Sequence, residues 1–189
     1  MIEIRIHGRG GQGAVTTSQL LAIAGFIDGK YTQAFPNFGV ERAGAPVQAF
    51  TRISKKYINL RQQVYSPDIL IVLDASLFNN INVTAGLKKG GIVIVNSNKS
   101  PKDLGIGKKC HAFCIDATSI ASNETGRAIV NTPILGAFSR ITELISINSL
   151  LKAIEQRFSD PVIQKINKKA ILGVYNSTKI SRICVPGIK

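Results

Sequence analysis

The run Ile2-Glu3-Ile4-Arg5-Ile6-His7-Gly8-Arg9-Gly10-Gly11-Gln12-Gly13 alternates isoleucine with polar residues and then places four glycines within six positions. The alternation has the period of a β-strand. The next residues, Ala14-Val15-Thr16-Thr17-Ser18-Gln19-Leu20-Leu21-Ala22-Ile23-Ala24, have the composition and spacing of a helix, which is predicted to run to about Ile27 before Asp28-Gly29 stops it. A strand that turns through glycines into a helix points backbone N–H groups at one spot, where an anion can sit. Gly8-x-Gly10-x-x-Gly13 in that setting also fits a dinucleotide fingerprint.

The second half of that fingerprint does not follow. Tyr31-Thr32-Gln33-Ala34-Phe35 is predicted to be the second strand, and its end carries no acidic residue to hold a ribose hydroxyl. Asp28 lies before the strand, on the wrong side. A nicotinamide-dependent enzyme is therefore disfavoured. Residues 36–46 are punctuated by proline and glycine, yet they include Phe38, Glu41 and Arg42 next to Phe35, Pro36 and Asn37. So rich a loop is either a ligand or partner contact, or a long connection whose phenylalanines cover the core.

Farther along, Val47–Ile53 alternates as a strand, and Lys55-Lys56 is expected to turn the chain. Ile69–Leu73, bracketed by Asp68 and Asp74, and Gly90–Asn96 read as strands buried on both faces of a parallel sheet. Asp74 would stand at a strand's carboxyl end, where a cap for the following helix, expected over Leu77 to about Leu87, is favoured over a direct functional role. His111–Asp116 is a further strand, read as buried, with Asp116 leading a helix from Ala117. Asn131 or Thr132 is expected to cap a helix with Pro133 in its first turn. Helical patterns then cover Asn148–Phe158 and Val162–Tyr175. The predicted fold is α/β: a Rossmann-like, mostly parallel sheet flanked by helices, mixed if Val47–Ile53 pairs antiparallel, with a helical C-terminal part. One domain over residues 1–189 is expected, with 148–189 as its basic helical extension.

Composition narrows the function classes. The chain has 24 Lys and Arg against 11 Asp and Glu, a net charge of +13. The excess is spread out and mostly lysine, without the aromatic interleaving of a nucleic-acid platform. It reads as a solvated basic surface, as docking to acidic partners, or as attraction for a polyphosphate. No run is apolar enough to span a membrane and no leader is apparent, so a cytoplasmic location is expected. Three cysteines, at 110, 114 and 184, form no CxxC pair, and no metal site is expected. The two histidines, His7 and His111, lie in apolar strands and read as packed side chains. No nucleophile elbow, metalloprotease helix or P-loop occurs, and the acids form no evident catalytic pair, so no catalytic residue is assigned.

Three segments carry a resemblance. His7-Gly8-Arg9-Gly10-Gly11-Gln12-Gly13-Ala14-Val15-Thr16 resembles the N-terminal motif of the gamma subunit of pyruvate:ferredoxin oxidoreductases. Gln33 through Val47 resembles the family's next motif at the expected distance, with Ala43 where many relatives carry a basic residue. Asn131-Thr132-Pro133-Ile134-Leu135-Gly136-Ala137 is similar to a looser third segment. The resemblance implies a non-catalytic subunit of an enzyme that converts a 2-oxoacid, pyruvate above all, coenzyme A and oxidised ferredoxin to acyl-CoA, CO2 and reduced ferredoxin. The same role in a 2-oxoisovalerate or 2-oxoglutarate enzyme is the near alternative. It further implies alpha, beta and delta partner subunits holding thiamine diphosphate, Mg2+ and [4Fe-4S] clusters, with ferredoxin or flavodoxin as acceptor. Within the chain, Gly8, Arg9, Gly10, Gly11, Gln12 and Gly13 become a candidate loop for a coenzyme A phosphate, unless the glycines serve only tight packing. Phe35, Pro36, Asn37, Phe38, Glu41 and Arg42 become a candidate subunit interface.

Overall fold

The structure, a computed structural model, describes residues 1–37 and 43–179. Its elements are β1 (Ile2–Arg9), α1 (Ala14–Ile27), β2 (Tyr31–Pro36), β3 (Pro46–Ser54), β4 (Ile69–Val72), β5 (Ile92–Asn96), β6 (His111–Ile115), α2 (Ala117–Thr125), α3 (Ile134–Thr142), α4 (Ile147–Arg157) and α5 (Pro161–Ser177). The strands form one sheet in the order β2-β3-β1-β4-β5-β6. β1, β4, β5 and β6 run parallel, whereas β3 is antiparallel to both β1 and β2. The sheet is thus mixed, as the Val47–Ile53 pattern allowed. β2 is not the second parallel strand of a dinucleotide unit but an edge strand paired to β3.

The register separates two faces. Ile4 and Ile6 align with Thr51, Ala49, Ile69 and Ile71, and Ile69 and Ile71 align with Ile92 and Ile94. This face packs against Leu20 and Leu21 of α1, Ala117 of α2, Phe138 of α3, Ile154 of α4 and Ile171 of α5 in one apolar cluster. The α-helices therefore lie on one face. α4 and α5 join the core through Leu150, Ala153, Ile154, Ile171 and Val174. Asp28, out of place for a ribose, instead ties α1 to α4. Its carboxylate accepts from the Ser146 N–H at 2.7 Å, the Ser146 hydroxyl at 2.8 Å and the Ser149 hydroxyl at 2.6 Å.

Among the described residues, no α-helix covers the opposite face. Over β4 and β5, Leu70, Val72, Val93 and Val95 pack against Leu77 and Val83. The helix expected over Leu77–Leu87 is only a 3-10 turn, Ala75–Asn79, followed by tight turns. Two of those turns, Val83 N–H to Ile81 O and Ala85 N–H to Asn82 O, spend the backbone on bonds too short for an α-helix. Over β1–β3 the face carries Glu3, Arg5, His7, Gln48, Phe50 and Arg52. Residues 55–67, which gave no sequence signal for a regular element, cover it.

Two further expectations change. β6 is the far edge strand, half-buried, with His111 exposed rather than packed. Neither Asn131 nor Thr132 caps α3, which begins at Ile134 behind Pro133 with no side-chain cap. The Thr132 hydroxyl donates instead to Asn167 Oδ1 of α5.

Candidate functional site

The glycine loop leaves β1 at its carboxyl end, beside the end of β4, the position where parallel α/β sheets present ligands. α1 begins directly after Gly13, which has φ 81° and offers no side-chain cap. The first intrahelical bond runs from Thr17 N–H to Gly13 O, 2.9 Å, so the N–H groups of Ala14, Val15 and Thr16 have no acceptor within the helix.

The side chains of the loop face one another. Arg9 N–H donates to Gln12 Oε1 at 2.8 Å, and Gln12 N–H to Arg9 O at 2.9 Å. Both side chains then converge on Asp74 Oδ2, Arg9 through Nε and Gln12 through Nε2, each at 3.0 Å. Asp74 Oδ1 accepts from the Ser76 N–H at 2.9 Å and its hydroxyl at 2.6 Å, so Asp74 caps the 3-10 turn as expected. Arg9 completes its fork on Gly44 O at 3.1 Å and Ser76 Oγ at 2.8 Å. Burial acts to raise the Asp74 pKa, but the hydrogen bonds from Ser76, Gln12 and Arg9 outweigh it and hold the carboxyl below its ordinary range. Asp74 is thus ionised at neutral pH, and it balances the charge of Arg9.

The three segments that carry the family resemblance meet at this corner. Gly10 bridges Ala43; its N–H donates to Ala45 O at 2.9 Å and its carbonyl accepts from Gly44 N–H at 3.2 Å. A Cβ on Gly13 would collide with the Asn131 amide, and one on Gly8 would lie 3.2 Å from Leu73. At position 8 a Cβ would press on the tip of the Leu73 side chain, whereas at position 13 glycine is needed both for its φ and for Asn131.

The second candidate group divides. Phe35 stacks obliquely on Phe50, centroids 5.2 Å apart, and lies under the Arg52 guanidinium at 5.1 Å. Pro36 pairs with Ala49 on the edge strand. Asn37 donates its N–H to Gln48 O at 2.9 Å and accepts from Gln63 Nε2 at 2.6 Å. Phe35 therefore covers the helix-free face. Phe38, Glu41 and Arg42 lie outside the described residues.

Two buried arginines escaped sequence reasoning. Arg52, 0% exposed, pairs with Glu3 at 2.9 Å and donates to the carbonyls of Leu60, Gln62 and Gln63. Arg5 donates from Nε to His7 Nε2 at 3.0 Å and from its terminal nitrogen to Val83 O and Ala85 O. The Arg5 bond places the His7 proton on Nδ1, which has no partner among the described residues. Burial, and then the Arg5 charge, push the His7 pKa down to about 3. His7 is a packed neutral imidazole, as expected. The only available signal was a charged residue at every second position of a strand with an apolar opposite face. Among the described residues no group of three His, Cys, Asp or Glu is placed to hold a metal. No described helix is long and apolar enough to cross a membrane.

Comparison with known proteins identifies this architecture. Residues 3–177 match the family model described as pyruvate ferredoxin/flavodoxin oxidoreductase. The chain is 54% identical over 176 residues to pyruvate synthase subunit PorC of Methanocaldococcus jannaschii, covering 93% of this chain and 96% of that one. It is 51% identical over 183 residues to the pyruvate/ketoisovalerate oxidoreductases common subunit gamma of Thermococcus kodakarensis, covering 95% and 98%. The crystal structure of pyruvate oxidoreductase subunit PORC from Thermotoga maritima superposes with a TM-score of 0.78 at 39% identity, over 93% of this chain and 95% of that one. With its signature segments gathered at one corner and residues 3–177 matched, the chain belongs to the pyruvate ferredoxin/flavodoxin oxidoreductase family.

Proposed function

We propose that this chain is the gamma subunit of a multi-subunit pyruvate:ferredoxin oxidoreductase, the enzyme that forms acetyl-CoA, CO2 and reduced ferredoxin from pyruvate, coenzyme A and oxidised ferredoxin. The observation that carries it is the end-to-end identity above one half with pyruvate synthase subunits. The corner geometry agrees with a non-catalytic role, since Arg9, Gln12 and Asp74 are spent on one another. Thiamine diphosphate, Mg2+ and [4Fe-4S] clusters then belong to alpha, beta and delta partner subunits, with ferredoxin or flavodoxin as acceptor and the cytoplasm as compartment. The chain is read as one α/β domain that includes α4 and α5.

A coenzyme A phosphate at Gly8–Gly13 would be met by the backbone N–H groups at the start of α1. The Arg9 and Gln12 side chains are held by Asp74, whose charge repels an anion. The same corner also serves packing, and Phe35–Asn37 leads into the candidate interface. Anaerobic purification of the tagged chain from its host tests the assignment. Co-purification of subunits carrying thiamine diphosphate and iron–sulfur clusters is expected; a lone monomer that turns over substrate would overturn it.

A second reading has its own support. A relative almost equally similar is named as common to pyruvate and ketoisovalerate oxidoreductases. A shared subunit would co-purify with two distinct sets of partners, and a dedicated one with a single set.

A further inference from the structure

On the helix-free face, residues 55–67 form an irregular segment held from beneath and displayed outward. Ile58 and Val64 are buried anchors. Gln33 Nε2 donates to Ile58 O at 3.3 Å, and Arg52 Nη2 donates to Gln62 O at 2.6 Å. The Tyr65 carbonyl packs where a Cβ on Gly86 would be. The segment thus crosses the face from β2, over β3, to the turns beyond β4. Its inner carbonyls are consumed, while Tyr57 and Tyr65 stand 74% and 68% exposed with Leu60 also outward. Tyr57 packs edge-on against exposed Tyr31 at 6.0 Å, so three of the chain's four tyrosines are displayed on this segment and the strand beside it. Lys55, Lys56 and Arg61 are exposed among them, and residues 55–67 contain no acid.

We infer that this segment is a docking surface for an acidic, partly apolar surface of another subunit of the oxidoreductase; the inference rests on the subunit reading above. Tyrosine and arginine are the side chains that concentrate binding energy at protein interfaces. Rotamer-poor tyrosines on a backbone pinned by buried Arg52 lose little entropy on binding. Lys55, Lys56 and Arg61 form no ion pair among the described residues, and such cations select a partner of opposite sign and make the association salt-sensitive. The surface is continuous, through the Gln63 bond, with Asn37, one of the residues of the candidate interface. Nucleic acid fits less well, because three cations do not track a backbone.

The test uses the complete complex, reconstituted anaerobically with wild-type chain or with Lys55→Glu, Lys56→Glu and Arg61→Glu combined, and separately with Tyr57→Ala and Tyr65→Ala combined. Each set is expected to raise the dissociation constant of the chain from its partners by about tenfold, and the charge set to flatten its salt dependence. An unchanged melting temperature of the isolated chain certifies the fold. Affinities within about twofold of wild type, with the same salt slope, overturn the surface while leaving the subunit assignment intact. A wild-type chain that never joins the thiamine-dependent subunits overturns both. A photo-crosslinker replacing Tyr65 in the purified holoenzyme needs no folded double variant; it is expected to capture an acid-rich partner peptide, and capture of this chain alone overturns the inference. Salt-sensitive retention of a single-stranded oligonucleotide, lost in the charge set while assembly is unaffected, overturns it in favour of nucleic acid.

Discussion

The two faces of the sheet reach the same end, a covered surface, by different physics. One face buries isoleucines under α-helices, and its energy is apolar area with close packing. The other, over β1–β3, buries Arg5, His7 and Arg52 under segments with no α-helix. There the guanidiniums do the covering, since each collects carbonyls from an irregular segment that cannot satisfy them within itself. The apolar face tolerates volume-conserving exchange. The arginine face does not, because a lost guanidinium orphans several acceptors at once.

The largest effect should come from the apolar side. Phe138→Ala, at a fully buried position, is expected to lower stability by about 4 kcal/mol, read from denaturant unfolding. Arg52→Met keeps much of the volume but leaves Glu3 and three carbonyls unpaired; about 3 kcal/mol is expected. Faster proteolysis confined to residues 55–67 would accompany it. An Arg52→Met protein as stable as wild type would erase the distinction between the faces.

Acid sharpens the same comparison. His7 has its pKa pushed from 6.5 down to about 3 in the folded state. Between those values the unfolded chain binds the extra proton, so stability falls as pH drops through this window. The slope for this one group is about 1.4 kcal/mol per pH unit, or about 2 kcal/mol from pH 6.5 to 5. His7→Gln should remove that part of the pH dependence, measured as the unfolding midpoint against pH. The smallest effect is expected at the glycine corner. Gly13→Ala strains a left-handed residue and meets Asn131, costing about 1–2 kcal/mol, and Asn131→Ala in the same chain should recover part of it.

Much of the fold was legible in residues. Ile2–Ile6 announced a strand by its period of two, and Ile69–Val72 and Ile92–Val95 by short, continuous apolar runs suited to burial on both faces. The end of α1 followed from Asp28-Gly29. The helix after Asp74 was misread, since Leu77 to Leu87 has apolar spacing that also suits a 3-10 turn and loops packed on β4 and β5. His111 was misplaced because an apolar strand does not declare itself an edge. The role of Arg52 was invisible: its partners, Glu3 on one side and residues 60–63 on the other, are selected by register and by chain return, not by local pattern.

At the glycine corner the division is clear. By itself the sequence determined the strand-turn-helix, the missing ribose acid and the family motifs, because each rests on residue type and short spacing. Only the tertiary structure decided that Arg9 and Gln12 are held by Asp74, and that the second and third motifs close on Gly10 and Gly13. Those contacts join residues from 33 to 118 positions apart. Charge balance and steric fit between such segments exist only once the sheet has set its strand order.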